Sequence, residues 1–545
     1  MNKKTYLSTL FNVKFKMCGI LYVTGNAFGE LRPYMETLIP RGPDAADSVE
    51  VDNVFMGFTR LRINDLSDNG MQPMWSPDGT VVLICNGEIF NQKELIQKYG
   101  FTPKSSSDCE VILHLYMKYR NTKLITNMLD EIDGEFAFVI YDSTSKTTIA
   151  TRDRFGVRPL FRGKTSNVVA YASEMKALSF CDEVAQLIPG TYDIVGRASD
   201  RCAEVTNHTY HSLFHNKYVT LVDSEESILN NINSLFRKAV EKRLMSERPI
   251  CCLLSGGLDS SLVSSLVASH FAPNTVHTFS IGFEGSPDLY YAKKVAEHIK
   301  SLHHEVIVKE PDFLDHIEDT IRTIESYDTT SVRASVGNLL ISKYISDNTD
   351  FKVVFNGDYS DEVCGGYKYF KNAPSSVAFD DECRRLVSEI CYFDSLRSDR
   401  TISSQGLEAR VPFSDHAFVN YYFSIPIELR MQPDKYLLRK AFERDNLLPA
   451  EILWRPKEAF SDGVSKKDNS WHMILKKHID SLVTDHEFEQ ERDNIDFNKP
   501  LLKESYYYRK IYNKHYGKYP YTIPYFWMPK WCDSNLIDPS AREIV

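Results

Sequence analysis

The chain has 545 residues, of which 43% are hydrophobic and 25% charged, an ordinary globular mixture, and its length predicts more than one domain. A formal net charge of −10 argues against a surface built to coat nucleic acid, and no apolar run of about eighteen residues is present to form a membrane-spanning helix. Eleven cysteines lie scattered without CxxC pairs, the usage expected of reduced, mostly buried thiols in a cytoplasmic protein.

Residues 1–17 form an extension. Lys3, Lys4, Lys14 and Lys16 make it basic, and Asn12 and Lys14 break the apolar core a signal peptide would need. From Cys18 to residue 205 the pattern predicts one domain. Strands are expected at 19–23, 54–58, 81–85, 135–141, 147–151 and 168–172, with helices at 92–99 and 110–119. That order suits an α+β sandwich of two antiparallel sheets. Four polar clusters interrupt it: Met17-Cys18-Gly19-Ile20, Arg41-Gly42-Pro43-Asp44, Asn86-Gly87-Glu88-Ile89-Phe90-Asn91 and Ser107-Asp108-Cys109-Glu110. Taken singly they read as a small buried thiol, a turn, a turn into a helix, and a helix cap.

Residues 206–222 are expected to be a linker, and 223–545 a second domain. Apolar stripes such as Ile228, Ile232 and Phe236, or Ile317, Ile321 and Ile324, predict helices that alternate with strands at 250–254, 278–282, 305–308 and 353–355. Alternation of this kind predicts an α/β parallel sheet with helices on both faces, and ligands outside the carboxyl ends of its strands. Loops 255–261, 279–286 and 356–362 should meet there. The first is Ser255-Gly256-Gly257-Leu258-Asp259-Ser260-Ser261, whose glycines, hydroxyls and new helix N-terminus suit phosphate. Asp259 would repel that phosphate unless a cation such as Mg²⁺ stood between them.

The four clusters of the first domain together resemble the glutamine amidotransferase domain of the N-terminal-nucleophile type. The resemblance implies Cys18 as the nucleophile, with its own α-amine as general base, and an oxyanion hole from Asn86 and the Gly87 N–H. It also implies that Arg60 holds the α-carboxylate of glutamine, with Glu88 and Asp108 on the α-ammonium. Seventeen residues ahead of Cys18 would block the amine, so the working chain is expected to begin at Cys18.

The second domain resembles the synthetase domain of asparagine synthetases, members of the ATP pyrophosphatase family. The matching stretches are residues 253–261, 279–289, 325–328, 406–413 and 457–463, with further likeness at 506–509 and 538–540. The resemblance implies ATP held by Leu254, Ser255, Gly256, Gly257, Asp259, Ser260, Ile281 and Gly357, and Mg²⁺ held by Asp259 and Asp361. Lys457 would stabilise charge on phosphate. Aspartate would be activated as β-aspartyl-AMP, pyrophosphate released, and the adenylate converted to asparagine by ammonia from glutamine. The partners implied are these small molecules alone; the chain's assembly is left open, a homodimer included.

Four positions depart from the family pattern. Pro40 stands where a His usually precedes Arg-Gly-Pro-Asp. Asn356-Gly357-Asp358-Tyr359-Ser360-Asp361-Glu362 replaces Ser-Gly-Glu-Gly-Ser-Asp-Glu, so Asp358 must act on ammonia with one methylene fewer and Tyr359 should add bulk beside the nucleotide. Two other readings share these residues: a related adenylating enzyme that forms an amide on another carboxylate, and a decayed nucleotide- or amino-acid-binding regulator.

Overall fold

The computed structural model describes residues 3–6, 18–25, 29–122, 124–198, 202–214, 223–466, 469–533 and 535–540. Two six-stranded antiparallel sheets make up the first domain. In one, Gly19–Gly25 is central, paired with Val54–Arg60 on one side and Val168–Ala172 on the other. In the other, Val81–Ile89 pairs with Gly134–Asp142, which pairs in turn with Thr147–Arg152.

The alternation of side chains along these strands explains the layering. Ile20 and Tyr22 point into the space between the sheets with Met56, Phe58, Ile84 and Val139. Leu21 and Val23 point the other way, into an apolar cluster shared with the second domain. The outer face of the second sheet, through Leu83, Cys85 and Phe138, is covered by helices Glu110–Tyr119 and Ile125–Glu131.

The parallel sheet of the second domain runs in the order Lys3–Tyr6, Leu302–Val308, His277–Phe283, Ile250–Leu253, Val353–Phe355, Glu408–Arg410. Cys251 and Cys252 show how both faces are filled. Cys251 packs with Phe279, Ile321 and Val336, while Cys252 packs with Ile232, Leu262 and Val295. Helices Glu225–Lys242, Leu258–Ala268 and Pro287–Ile299 lie on the second face, and Ile317–Ile324 and Thr329–Asn348 on the first.

The structure differs from the sequence expectations at three places. Val81–Ile89 continues through Asn86, Gly87 and Glu88, which therefore stand in a paired strand and not in a turn after it. The last antiparallel hairpin, Thr191–Ala198 with Cys202–Thr209, carries the sheet past 205 into the expected linker. Lys3–Tyr6, within the extension, forms the edge strand of the parallel sheet beside Leu302–Val308. The expected blockage of the Cys18 amine falls on residues 7–17, outside the described residues.

A layer of buried ion pairs joins the domains. Arg41 meets Glu174 and Asp399, each at 2.8 Å. Arg400 meets Glu174 of the first domain at 3.5 Å and Glu325 of its own at 3.2 Å, Arg158 meets Glu408 of the second domain at 3.7 Å, and Arg243 meets Glu135 of the first at 2.8 Å. Arg410 meets Glu408 at 2.5 Å and Glu88 at 3.4 Å. All five guanidinium groups are buried. Removing one partner of such a pair strands a charge away from water, so Arg41→Met should destabilise the chain by about 3–5 kcal/mol. Urea unfolding measures this; an unchanged midpoint would mean that the remaining pairs carry the load without Arg41.

Candidate active sites

At the end of the first sheet Cys18 lies under Leu61, whose N–H donates to Cys18 Sγ at 3.3 Å. The Arg41 Nε donates to the Cys18 carbonyl at 2.9 Å, which anchors the residue from behind. The Arg41–Asp44 turn thus has a structural purpose beyond its shape. Gly42 sits so close to Thr59 that a Cβ there would approach its backbone to 2.2 Å, and Asp44 accepts from the Arg62 N–H at 2.9 Å. Burial pushes the Cys18 thiol up to about 12, so a thiolate requires a base at hand.

Asn86 and Gly87 come from Val81–Ile89 in the other antiparallel sheet. Asn86 Nδ2 is buried without a hydrogen-bond partner among the described residues. Leaving a buried amide donor unpaired costs about 1–3 kcal/mol, and a developing oxyanion is a guest that would satisfy it. Glu88 and Asp108 converge through Asn64, whose Nδ2 donates to Glu88 at 2.5 Å and to Asp108 at 3.5 Å. Asp108 also accepts from the Ile89 N–H at 2.7 Å. Burial, reinforced by the neighbouring Asp108 and Glu408 carboxylates, pushes Glu88 well above the usual carboxylate range. Asp108 is pushed up to about 6, again chiefly by burial. Arg60 donates to the carbonyl of Ser67 at 2.6 Å and to that of Asp65, and burial lowers its pKa. One guanidinium and two carboxyl groups, both poised to take a cationic partner, therefore gather near a thiol and a free amide donor. Asn64 was not legible beforehand, because an asparagine in a turn carries no signal until its two carboxylate partners are known.

The second site opens at the carboxyl ends of the parallel strands. Leu254, Ser255, Gly257, Asp259, Ser260, Ile281, Gly357, Asp358, Asp361 and Lys457 line one cavity. Gly256 lies in the same loop, behind this lining. At φ +72° it turns toward the helix Pro287–Ile299, where a Cβ would come within 2.4 Å of the Ala292 nitrogen. The missing side chain lets the loop pack there, and the hydroxyls of Ser255 and Ser260 lie 3.0 Å apart.

Asp259 and Asp361 are brought together, as expected, around a residue that sequence reasoning missed. Lys435 Nζ lies 2.7 Å from both oxygens of Asp259 and 2.6 Å from Asp361 Oδ1. Lys457 Nζ contacts the other oxygen of Asp361. The two ammonium groups hold the Asp361 carboxyl below the usual range against the opposing effect of burial. Lys435 lies far along the chain from both acids, with nothing in its neighbourhood to distinguish it.

Asp358 Oδ1 accepts from Arg397 at 3.1 Å, and its Oδ2 is buried without a partner among the described residues. Tyr359 corrects an expectation. Although it borders the cavity, its ring is buried in a cluster with Phe155 and Val157 of the first domain, and its hydroxyl donates to Ser395 at 2.8 Å. Its bulk goes into the domain interface. A φ of +77° makes this placement costly, at roughly 1–2 kcal/mol.

The glutamine amidotransferase family model matches residues 17–191, and the asparagine synthase model matches 231–381 and 374–522. With two antiparallel sheets ahead of a parallel one, this places the chain in the class of two-domain proteins that join an amidotransferase to a synthetase. Asparagine synthetase [glutamine-hydrolyzing] of Gallus gallus is 43% identical over 92% of this chain and 94% of its own length. The proteins of that name from Rattus norvegicus and Homo sapiens are 42% identical over the same shares. The chain belongs to the asparagine synthetase family.

Gly357 sets the spacing of the two loops, since a Cβ there would lie 2.7 Å from the Ser260 nitrogen. Gly357→Ala should push them apart and raise amide exchange in both 255–261 and 356–362. Unchanged exchange in the first loop would show that the contact does not bind them.

Proposed function

We propose that this chain makes asparagine from aspartate, using ATP for activation and glutamine as the source of ammonia, and releases AMP, pyrophosphate and glutamate. The observation that carries the reading is the joining of two complementary sites in one chain. One offers a thiol, an unpartnered amide donor and the charges that match a free amino acid; the other is a phosphate loop beside paired carboxylates.

In the first site Cys18 Sγ attacks the glutamine side-chain amide, and Asn86 and Gly87 receive the negative charge on oxygen. The Cys18 α-amine, freed by removal of residues 1–17 or by a start at Met17 and loss of that methionine, accepts the thiol proton. Arg60 binds the substrate carboxylate, and Glu88 and Asp108 bind its ammonium. The Cys18 amine passes the thiol proton to the amide nitrogen, ammonia departs as the thioester forms, and hydrolysis of the thioester then releases glutamate.

In the second site Ser255, Gly257 and Ser260 cradle the phosphates, while Leu254, Ile281 and Gly357 surround the adenosine part. The aspartate β-carboxylate attacks the α-phosphate, and Lys457 faces the charge that develops there. Asp358, held by Arg397, takes a proton from ammonia as it attacks the acyl adenylate. Asp259 and Asp361 would hold Mg²⁺ once Lys435, which bridges them here, turned to the phosphates; the ion commonly takes one or two carboxylates and completes its shell with phosphate oxygens and water. Bound there, the ion would neutralise charge on the leaving pyrophosphate. No helix among the described residues is long and apolar enough to cross a membrane, and the described cysteines are free. Our assignment to the cytoplasm rests on the cysteine usage of the sequence, which suits reduced thiols.

The decisive experiment supplies ATP, Mg²⁺ and aspartate with either glutamine or ammonium. Asparagine and AMP should form from both nitrogen sources. Adenylation of a different acid would transfer the reading to another amide-forming enzyme, and no adenylation of any acid would end it. Cys18→Ala should abolish the glutamine-dependent reaction and spare the ammonium-dependent one; equal loss of both would contradict two separable sites. Mass spectrometry of the active natural protein should find Cys18 as its first residue, and an intact leader in a glutaminase-active sample would refute the amine as base.

The raised Asp108 pKa gives a pH dependence. Its anionic form, which attracts the ammonium of glutamine, is lost as pH falls through about 6. The KM for glutamine should therefore rise on acidification across that range. A flat KM would remove Asp108 from the binding site.

A further inference from the structure

A bulky residue stays in the left-handed backbone region only when its surroundings hold it there. Tyr359 has φ +77° and is 2% exposed, at a position where the family pattern has glycine. Its bonds show what holds it. The hydroxyl donates to Ser395 Oγ at 2.8 Å, and Ser395 Oγ donates to the Gly156 carbonyl at 3.0 Å. Gly156 lies in the turn 153–158 of the first domain, which Asp153 braces by accepting from the N–H groups of Phe155, Val157 and Arg158 at 2.9–3.1 Å.

The same helix holds the preceding residue. Ser395 and Arg397 both lie in Asp394–Ser403, and Arg397 donates to Asp358 at 3.1 Å. Residues 358 and 359 are therefore pinned side by side to one helical turn, and from that turn a third bond reaches the other domain. A glycine at 359 would be free of strain but would make no bond to Ser395 and would add no ring to the apolar cluster that also holds Phe155 and Val157.

We propose that Tyr359 is a positioning residue that fixes Asp358 and couples its placement to the turn 153–158 of the glutaminase domain. Through the Tyr359–Ser395–Gly156 chain, a shift in either domain is felt by the other, so that ammonia release and amide formation remain in step. The inference rests on the proposed role of Asp358. The competing explanation is that the tyrosine merely fills space in the interface.

Tyr359→Phe keeps the ring and removes the tether, and Ser395→Ala breaks the same chain at its next link. Each should raise the glutamate formed per asparagine several-fold, with KM for ATP and for glutamine within about twofold of the parent. The double variant should be no worse than either single one, because the three groups act in series. A simple filling role would leave the product ratio unchanged, and that result overturns the proposal.

If the parent itself makes no asparagine, the functional reading fails and the coupling is read by amide exchange instead. Tyr359→Phe should quicken exchange in both 153–158 and 356–362. A change confined to 356–362 overturns the coupling whatever the enzyme does.

Discussion

The constraint on which the rest depends is the buried layer of arginine–carboxylate pairs between the domains. Desolvating so many charges is costly, and the cost is tolerable only when each guanidinium finds carboxylates in good geometry. Across the interface Arg41 faces Asp399, Arg158 faces Glu408, Arg243 faces Glu135, Arg400 faces Glu174 and Arg410 faces Glu88. Such a layer resists sliding, because any displacement leaves charges unpaired on both sides. It fixes the position of one domain against the other far more narrowly than apolar packing alone would.

Both sites are attached to this layer. Arg41 bonds the carbonyl of Cys18 while pairing with Asp399 of the second domain. Arg410, on the last strand of the parallel sheet, lies 3.4 Å from Glu88 in the first domain. Asp399 and Arg400 share a helix with Ser395 and Arg397, which hold Tyr359 and Asp358. The groups that carry charge through the interface are thus neighbours of those proposed to do chemistry at either end. Several stretches that matched the family outside the nucleotide loops, such as Glu325 and Glu408, gain a physical reason here. They are counter-ions of the interface.

The electrostatics of the two sites are opposite in kind. Around Glu88 and Asp108 acids crowd together, and burial raises their pKa values. Around Asp361 two lysines converge on an acid and lower its pKa. The first arrangement awaits a cationic group, the second a phosphate or metal that would reorganise the lysines. These contrasts follow from which side chains the fold collects, since the same residue types occur at both sites.

Much of this was legible in the chain. Strand alternation and helical stripes depend on local sequence, so most expected elements lie within a few residues of their observed positions. The loop at 255–261 could be read because its glycines, hydroxyls and helix start are contiguous. Cys18, Asn86 and Asp108 were recognisable only as a set, through family resemblance. What tertiary structure alone decided are features built from distant partners: Lys435 between Asp259 and Asp361, Asn64 between Glu88 and Asp108, and the interdomain arginines. Tyr359 marks the boundary between the two. Its substitution for glycine was plain in the sequence, yet the direction of its side chain depends on Ser395, itself bonded to Gly156 of the other domain, and neither is near it in sequence.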